Sequence, residues 1–586
     1  MQTIFDNLYA KSQKSYNFHN LMEIITSTEN IKLAFRNIKA NHGSKTSGTN
    51  NRNITDIMEM DETVLVEFIK NKFSNYQPQP VRRVYIPKPN GDKRPLGIPT
   101  IEDRIIQQCI LQVLEPICEA RFHPHSYGFR LNRSTHHAMA RATSLINIAK
   151  LNYVVDIDIK GFFDNVDHSK LIKQMWSLGI QDKSLICIIG KMLKSPIDKE
   201  GIPTKGTPQG GILSPLLSNI VLNELDWWIS NQWETFNTIY KYNGLWRYSA
   251  LRKNSKLKEM YIVRYADDFK IHCRSYNDAS KIFNAVKQWL KERLNLDISP
   301  NKSKIINLRR NFSEFLGFKL NVKPRKKRYV CYTYMSDKAK NKCADTVRRQ
   351  LKMMRKHPTE EISYQYNAII LGIRNYYQIA THVSIDFSDI EFSLIKTKYN
   401  CLKGISTNKG ELSRLYSKYF SDTKQRKYFV KGVALFPLYA KHKNPLGFTQ
   451  GKCNYTREGR MLVHNNLTSI NNKILHYLLK NPIPNRSIQY NDNRISRYVG
   501  QQGKCYITKR PLNIGNMHCH HVTPIHLKGT DDYKNLIFIL KDVHILIHAT
   551  VDTTIKELMN KNNFNENEIA LINKYRVKLE NTKITV

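Results

Sequence analysis

The chain has 586 residues and carries 92 Lys and Arg against 49 Asp and Glu, a formal charge of +43. That length suggests about four domains with ample chain for a core, and a positive field of that size implies a polyanionic partner, with 31 tyrosines suited to stacking on unpaired bases. Ten scattered cysteines with no Cys-x-x-Cys pair, no cationic and apolar leader after Met1, and no apolar run near the ~20 residues of a membrane span exclude a disulfide framework, a secretory signal and a spanning helix, so the expectation is reduced thiols in a bacterial cytoplasm or in an organelle that encodes the protein.

In chain order, a helical pattern around Ile31, Ala34, Phe35 and Ile38 runs into Asn41-His-Gly-Ser-Lys-Thr-Ser-Gly48, a loop by its Gly, Ser and Thr content. Residues 81–104 read as two short strands around a Pro-Asn-Gly turn, with Lys88 and Arg94 on either side of it, both within reach of the triphosphate of a nucleotide. A helix is predicted from about Ile105 to Ala120, followed by the loop Ser126-Tyr-Gly-Phe-Arg130.

Tyr153-Val-Val-Asp-Ile-Asp-Ile159 alternates apolar and acidic residues, so as a strand it puts Asp156 and Asp158 on one face. Gly206-Thr-Pro-Gln-Gly-Gly211 is a glycine-rich turn entering an apolar helix, where small residues permit close backbone approach and the helix start favours an anion or a base edge. Asp267 and Asp268 lie between two β-prone runs, a hairpin with acids at its tip. An isolated Asp-Asp pair is usually a solvated turn. Three carboxylates brought together instead call for cations, and two Mg²⁺ ions bridging Asp158, Asp267 and Asp268 suit two-metal nucleotidyl transfer.

Asp158, Pro208-Gln-Gly210 and Tyr265-Ala-Asp-Asp268, in that order and followed by Phe312-Ser-Glu-Phe-Leu-Gly-Phe-Lys-Leu320, resemble the group II intron-encoded reverse transcriptase/maturase family, whose seven polymerase blocks would run from about residue 30 to 320. The resemblance implies an α+β fold, a right-hand polymerase of fingers and palm with an α-helical thumb and maturase region. It implies Asp158, Asp267 and Asp268 as catalytic ligands of Mg²⁺, Phe163 as an aromatic gate against a 2′-hydroxyl, Gln209 and Gly210 as nucleotide-positioning residues, and Lys88 and Arg94 as triphosphate contacts. Spacing to Phe163 favours Asp158 over Asp156, which is read as supporting the site.

From Lys323 to Lys356 there are thirteen Lys and Arg against two acids. A helical charge run is usually a solvated face, but this excess favours an RNA-contacting thumb. Residues 364–382 form an apolar helix whose Asn375-Tyr-Tyr377 element resembles the maturase segment that grips intron RNA. Residues 440 to about 495 carry no chemical constellation; in the family this position binds the DNA target, and Pro482 and Pro484 suggest a linker beyond a helix ending near Lys480.

The tail carries His518-Cys-His-His521, Gly529-Thr-Asp-Asp-Tyr-Lys-Asn535 and His544-Ile-Leu-Ile-His548. Histidines at i and i+4 hold one cation from a helix, and His520 completes the set from a preceding strand. His521 is then free to activate water, and Asn535 fixes the strand geometry. The ordered set resembles an HNH endonuclease of the ββα-metal kind, with Mg²⁺ or a similar divalent cation. Many family members add a four-cysteine zinc knuckle there. Here Cys505 is followed at the partner position by Thr508, and Leu540 and Val543 precede His544, a pattern that makes a structural zinc doubtful.

The predicted organisation is a reverse transcriptase over 1–322, thumb and maturase over 323–439, a DNA-binding segment over 440–497 and an HNH nuclease over 498–586. The expected partners are intron RNA, target DNA and dNTPs, with no membrane, and a homodimer is among the assembly options. The competing reading is a maturase that only assists splicing; it predicts damaged acids, and the polymerase acids and the nuclease histidines are both intact in the sequence.

Overall fold

The computed structural model describes residues 1–87, 93–208, 210–244, 246–421, 425–440, 449–464, 470–481, 483 and 486–585. Lys88, Gln209, the stretch 441–448, Pro482 and Pro484 lie outside the described residues.

The helix Ile101–Glu119 is the spine of the first half. Ile101, Ile105, Ile106, Cys109, Ile110, Val113, Leu114 and Ile117 are fully buried around its circumference, which marks a core helix. It starts at Ile101, not Ile105, because the Thr100 hydroxyl accepts from the Asp103 N–H and caps the first turn. The helices Gln2–Gln13 and Thr28–Lys39 pack against it. Strands β1 (Arg82–Pro87) and β2 (Lys93–Ile98) pair antiparallel, as expected of two short strands in residues 81–104.

The central sheet contains β3 (Tyr153–Ile157), β4 (Met260–Tyr265), β5 (Asp268–Cys273) and β6 (Lys304–Asn307), in the order β4-β5-β3-β6 with every pairing antiparallel. The helix Tyr276–Leu294 lays Ala279, Ile282, Val286 and Leu290, spaced by three and four residues, into the core beside β3. The helix Ser214–Asn231 packs along β4.

Strands β7 (Ser313–Phe315), β8 (Phe318–Arg325) and β9 (Arg328–Met335) form a second antiparallel sheet. This corrects the helical reading of the basic run. Arg328-Tyr-Val-Cys-Tyr-Thr-Tyr-Met335 is β-branched and aromatic, and it buries alternate residues Cys331, Thr333 and Met335; only Asp337–Lys356 is helical. The helices Glu360–Tyr377 and Val383–Leu402 follow, then the two-residue strands β10 (Ser406–Thr407), β11 (Phe429–Val430) and β12 (Val433–Ala434).

One hydrophobic core runs from Phe5 to Tyr455 and another from Ile470 to Tyr575. The second is built on β13 (Met517–His521), β14 (Leu536–Leu540) and the helix Lys541–His548. Ile474, Leu478, Tyr490 and Tyr498, from the helices Asn472–Lys480 and Ile488–Gly500, are buried in this same core. An ion pair between Arg36 and Asp492 joins the two bodies.

Candidate functional site

The sheet order brings the two acidic segments together. β3 lies beside β5 with Ile157 opposite Phe269, so the ladder leads directly to Asp158 facing Asp268. The Asp158 N–H donates to Ser303 Oγ at 3.2 Å, and its carbonyl accepts from Ser299 N–H at 2.7 Å, which fixes its backbone where the strand ends. Tyr265 pairs with Asp268 across a two-residue turn of Ala266 and Asp267, and Ala266 is left-handed at φ +57°. Both tip acids are therefore on a tight turn at the same sheet end as Asp158.

Burial raises the Asp267 carboxyl above the ordinary range, and the nearby Asp158 carboxylate adds to the rise while Arg94 opposes it. Burial likewise raises Asp268, with Lys270 opposing and Asp156 adding. Asp156 is spent differently: the Lys270 ammonium is bonded to it and lies 3.4 Å from Asp268. Asp158 faces the exposed Lys302 at 3.5 Å. An all-oxygen cluster whose members resist ionising side by side is the donor chemistry of a hard cation such as Mg²⁺.

The surrounding parts converge on this edge. Phe163, half-buried on the one-turn helix Phe162–Asn165, stacks edge-on against Phe162. Its carbonyl accepts from Thr207 N–H at 2.7 Å, which ties the glycine-rich turn to it. Gly210 has φ +112°, and a Cβ there would come within 2.3 Å of the Gly97 carbonyl oxygen, so the turn lies directly on β2. Arg94 is exposed on that strand and close enough to influence Asp267. Of the residues expected at the nucleotide, Phe163, Gly210 and Arg94 are thus gathered with the acids, and Lys88 and Gln209 lie outside the described residues.

A second cluster lies in the C-terminal body. His520 on β13 and His544 and His548 on the following helix present ring nitrogens that all lie within 4.8 Å of one another, the one such group among the described residues. Burial, with the neighbouring histidines, lowers His520 and His544 to about 3, so both rings are neutral at pH 7, the form in which an imidazole can bind a cation. The His518 ring stacks on His544 at 3.6 Å. Buried Arg576 bonds the carbonyls of Leu546 and Ala549, which fixes the C-terminal end of the histidine helix.

His521 stacks on Tyr490 at 5.4 Å, and its Nε2 donates to Asp531 at 2.8 Å. One ring nitrogen is thus engaged by Asp531, and Nδ1, the nitrogen left for a water proton, has no hydrogen-bond partner among the described residues. Asn535 accepts from the Thr523 N–H and donates to the Thr523 and Thr530 carbonyls, all at 2.8 Å, so it staples the loop that carries Asp531. Cys505 is buried and takes the Thr508 N–H on its sulfur at 3.5 Å, and Leu540 and Val543 are buried in the same apolar core.

Sequence reasoning missed Asp531, Lys270 and Arg264. Asp531 stands in the quoted Thr-Asp-Asp-Tyr-Lys-Asn stretch, where two adjacent acids before the asparagine were the available signal. Lys270 and Arg264 are basic residues inside strands, and a charge at a core position of a hairpin is the sign of a buried partner.

Residues 86–320 match the family described as reverse transcriptase (RNA-dependent DNA polymerase). Protein YkfC of Escherichia coli is 33% identical over 357 residues, covering 57% of this chain and 91% of that protein. Group II intron-encoded protein LtrA of Lactococcus lactis subsp. cremoris is 29% identical over 528 residues, 76% of this chain and 85% of its own. The putative COX1/OXI3 intron 2 protein of Saccharomyces cerevisiae is 29% identical over 343 residues, 53% of this chain and 40% of its own.

Proposed function

The chain belongs to the group II intron-encoded reverse transcriptase/maturase family, and on that premise we propose that it copies RNA into DNA at Asp158, Asp267 and Asp268. The observation that carries the assignment is the meeting of β3 with the β4–β5 turn, which sets all three acids at one sheet end beside the glycine-rich turn. Asp158, Asp267 and Asp268 would hold Mg²⁺, which when bound would supply activation of the primer 3′-hydroxyl and charge neutralisation at the leaving pyrophosphate. Arg94 pairs with the triphosphate, the Phe163 ring crowds the sugar 2′-position, and Gly210 holds the base-side turn against β2; Lys88 and Gln209 join them by resemblance. Lys270 bridges Asp156 and Asp268, screening their repulsion and orienting both.

The intron RNA is the partner that the +43 charge serves. The region 323–439 is assigned to thumb and RNA grip, and 440–497 to target DNA. The intact acids argue against a maturase confined to splicing.

The C-terminal body is assigned DNA-strand cleavage. His520, His544 and His548 would hold one divalent cation, which would supply Lewis acidity at the phosphodiester. His521, with Nε2–H donated to Asp531, keeps its Nδ1 lone pair for a water proton. The two activities combine in intron mobility: the RNA inserts into one strand, this site cuts the other, and the freed 3′-hydroxyl primes synthesis.

Primer extension by the full chain on an RNA template with Mg²⁺ tests the polymerase, run beside Asp267→Ala/Asp268→Ala. Extension that survives in the double variant overturns the assignment. Extension by neither, from a folded protein that binds intron RNA tightly, favours the splicing-only reading.

A further inference from the structure

The acids at the hairpin tip are carried by a turn with an unusual backbone. Ala266 is left-handed without being glycine, a conformation that holds only when neighbours impose it. Two neighbours do so. On one side the Ser126–Gly128 loop runs beside β4: Tyr127 N–H donates to the Arg264 carbonyl at 2.9 Å and Arg264 N–H to the His125 carbonyl at 3.1 Å. A Cβ on Gly128 would come within 2.2 Å of the Ala266 nitrogen, so this loop is in direct contact with the turn.

On the other side is the side chain of Arg264, only 1% exposed. Its Nη1 donates to the Ala266 carbonyl at 2.8 Å and to Asn219 Oδ1 at 3.0 Å. Its Nε and Nη2 grip fully buried Asp226 at 2.6 to 2.9 Å. Asn219 returns to the loop, donating to the Gly128 carbonyl at 2.9 Å. Asp226 and Asn219 belong to the helix Ser214–Asn231, which the glycine-rich turn enters.

We propose that Arg264 is the positioning residue of the polymerase centre: its buried guanidinium clamps the Ala266 carbonyl to the helix Ser214–Asn231 and so fixes where Asp267 and Asp268 present their carboxylates. This rests on the polymerase reading above. A residue that merely fills the core is replaceable by an apolar pair of similar volume, since a buried ion pair adds little net stability over such a pair. A residue that holds a carbonyl by a hydrogen bond is not.

The test is Arg264→Met combined with Asp226→Leu in the full chain, which removes both charges together. The thermal melt is expected to return to within a few degrees of wild type, unlike that of Arg264→Met alone, which leaves Asp226 buried and unpaired. Primer extension at saturating dNTP is nevertheless expected to fall about 100-fold, because misplacement of a reacting group by an ångström costs that much. The Mg²⁺ concentration for half-maximal rate is expected to rise about tenfold, and KM for dNTP to stay near wild type. A stable double variant with wild-type rate and Mg²⁺ dependence overturns the proposal. Should the double variant not melt cooperatively, Arg264→Lys decides: it keeps a charge beside Asp226 but loses the planar fork that reaches Ala266 and Asn219 together. The same Mg²⁺ shift supports the clamp, and an unshifted requirement overturns it. A folded wild type that extends no primer overturns the polymerase reading itself, and the clamp with it.

Discussion

Asp531 accepts a hydrogen bond from His521 Nε2 at 2.8 Å, and that bond holds the Asp531 carboxyl below the usual carboxylate range. The pair has the form of a base and its orienter: the carboxylate fixes the tautomer, and the opposite nitrogen is left to take a proton. Asp531→Ala is expected to slow nicking of supercoiled plasmid by the full protein about 10- to 100-fold, the usual penalty for losing an orienting partner. Divalent-cation binding, followed calorimetrically, is expected to be unchanged, because Asp531 is outside the histidine trio. His548→Ala is expected to lose both. Wild-type nicking by Asp531→Ala would remove Asp531 from the mechanism.

The tip acids give a prediction with a definite sign. Burial raises Asp267 and Asp268 above their ordinary range. A carboxyl raised on folding contributes stability below its unfolded pKa, and this is lost as pH rises through the folded value. At pH 7 and without metal, both acids therefore work against the fold. Asp267→Asn with Asp268→Asn is expected to raise the metal-free melting temperature at pH 7, with the gain shrinking toward pH 4. Mg²⁺ is expected to stabilise the wild type and leave the variant unmoved. A metal-free variant that melts below wild type at pH 7 contradicts this account.

Local signals were sufficient wherever neighbours in sequence are neighbours in space. The Asp267–Asp268 tip, the Pro-Asn-Gly hairpin, the glycine-rich turn entering its helix and the His544/His548 pair were all legible for that reason. The basic run was misread because charge density says nothing about period, whereas the alternating Cys331, Thr333 and Met335 does. Asp531 and Arg264 were missed because their roles depend on partners 10 and 38 residues away, His521 and Asp226, which only the folded chain brings together.

Asp156 and Asp158 are two residues apart and are separated by what they touch. Asp156 is bonded to Lys270, itself 5% exposed, whereas the Asp158 carboxylate has the exposed Lys302, at 3.5 Å, as its ion-pair partner among the described residues. Asp156→Asn is expected to cost about 3 kcal/mol, the low end for breaking a buried pair, since Lys270 retains Asp268. It should leave reduced but measurable primer extension. Asp158→Asn is expected to cost little stability and to abolish extension. Urea unfolding paired with extension rates checks both, and the reverse pattern would make Asp156 the metal ligand.

The stretch 449–464 binds the first core through Tyr455. Its ring stacks on Tyr9 at 5.6 Å, and its hydroxyl donates to Glu115 at 2.9 Å. Burial pushes the Glu115 carboxyl up to about 7, and the Tyr455 hydrogen bond works against that rise. The stability that Glu115 contributes in its protonated form is present below about 4.5 and fades as pH climbs through 7. Tyr455→Phe removes the donor that the carboxylate uses, so the folded pKa rises further and the fading deepens. The variant is expected to lose about 1 to 3 kcal/mol at pH 8, the cost of an unsatisfied buried acceptor, and distinctly less at pH 5. Urea unfolding at both values checks this: equal losses at pH 5 and pH 8 would mean that the hydroxyl matters for packing and not for the charge on Glu115.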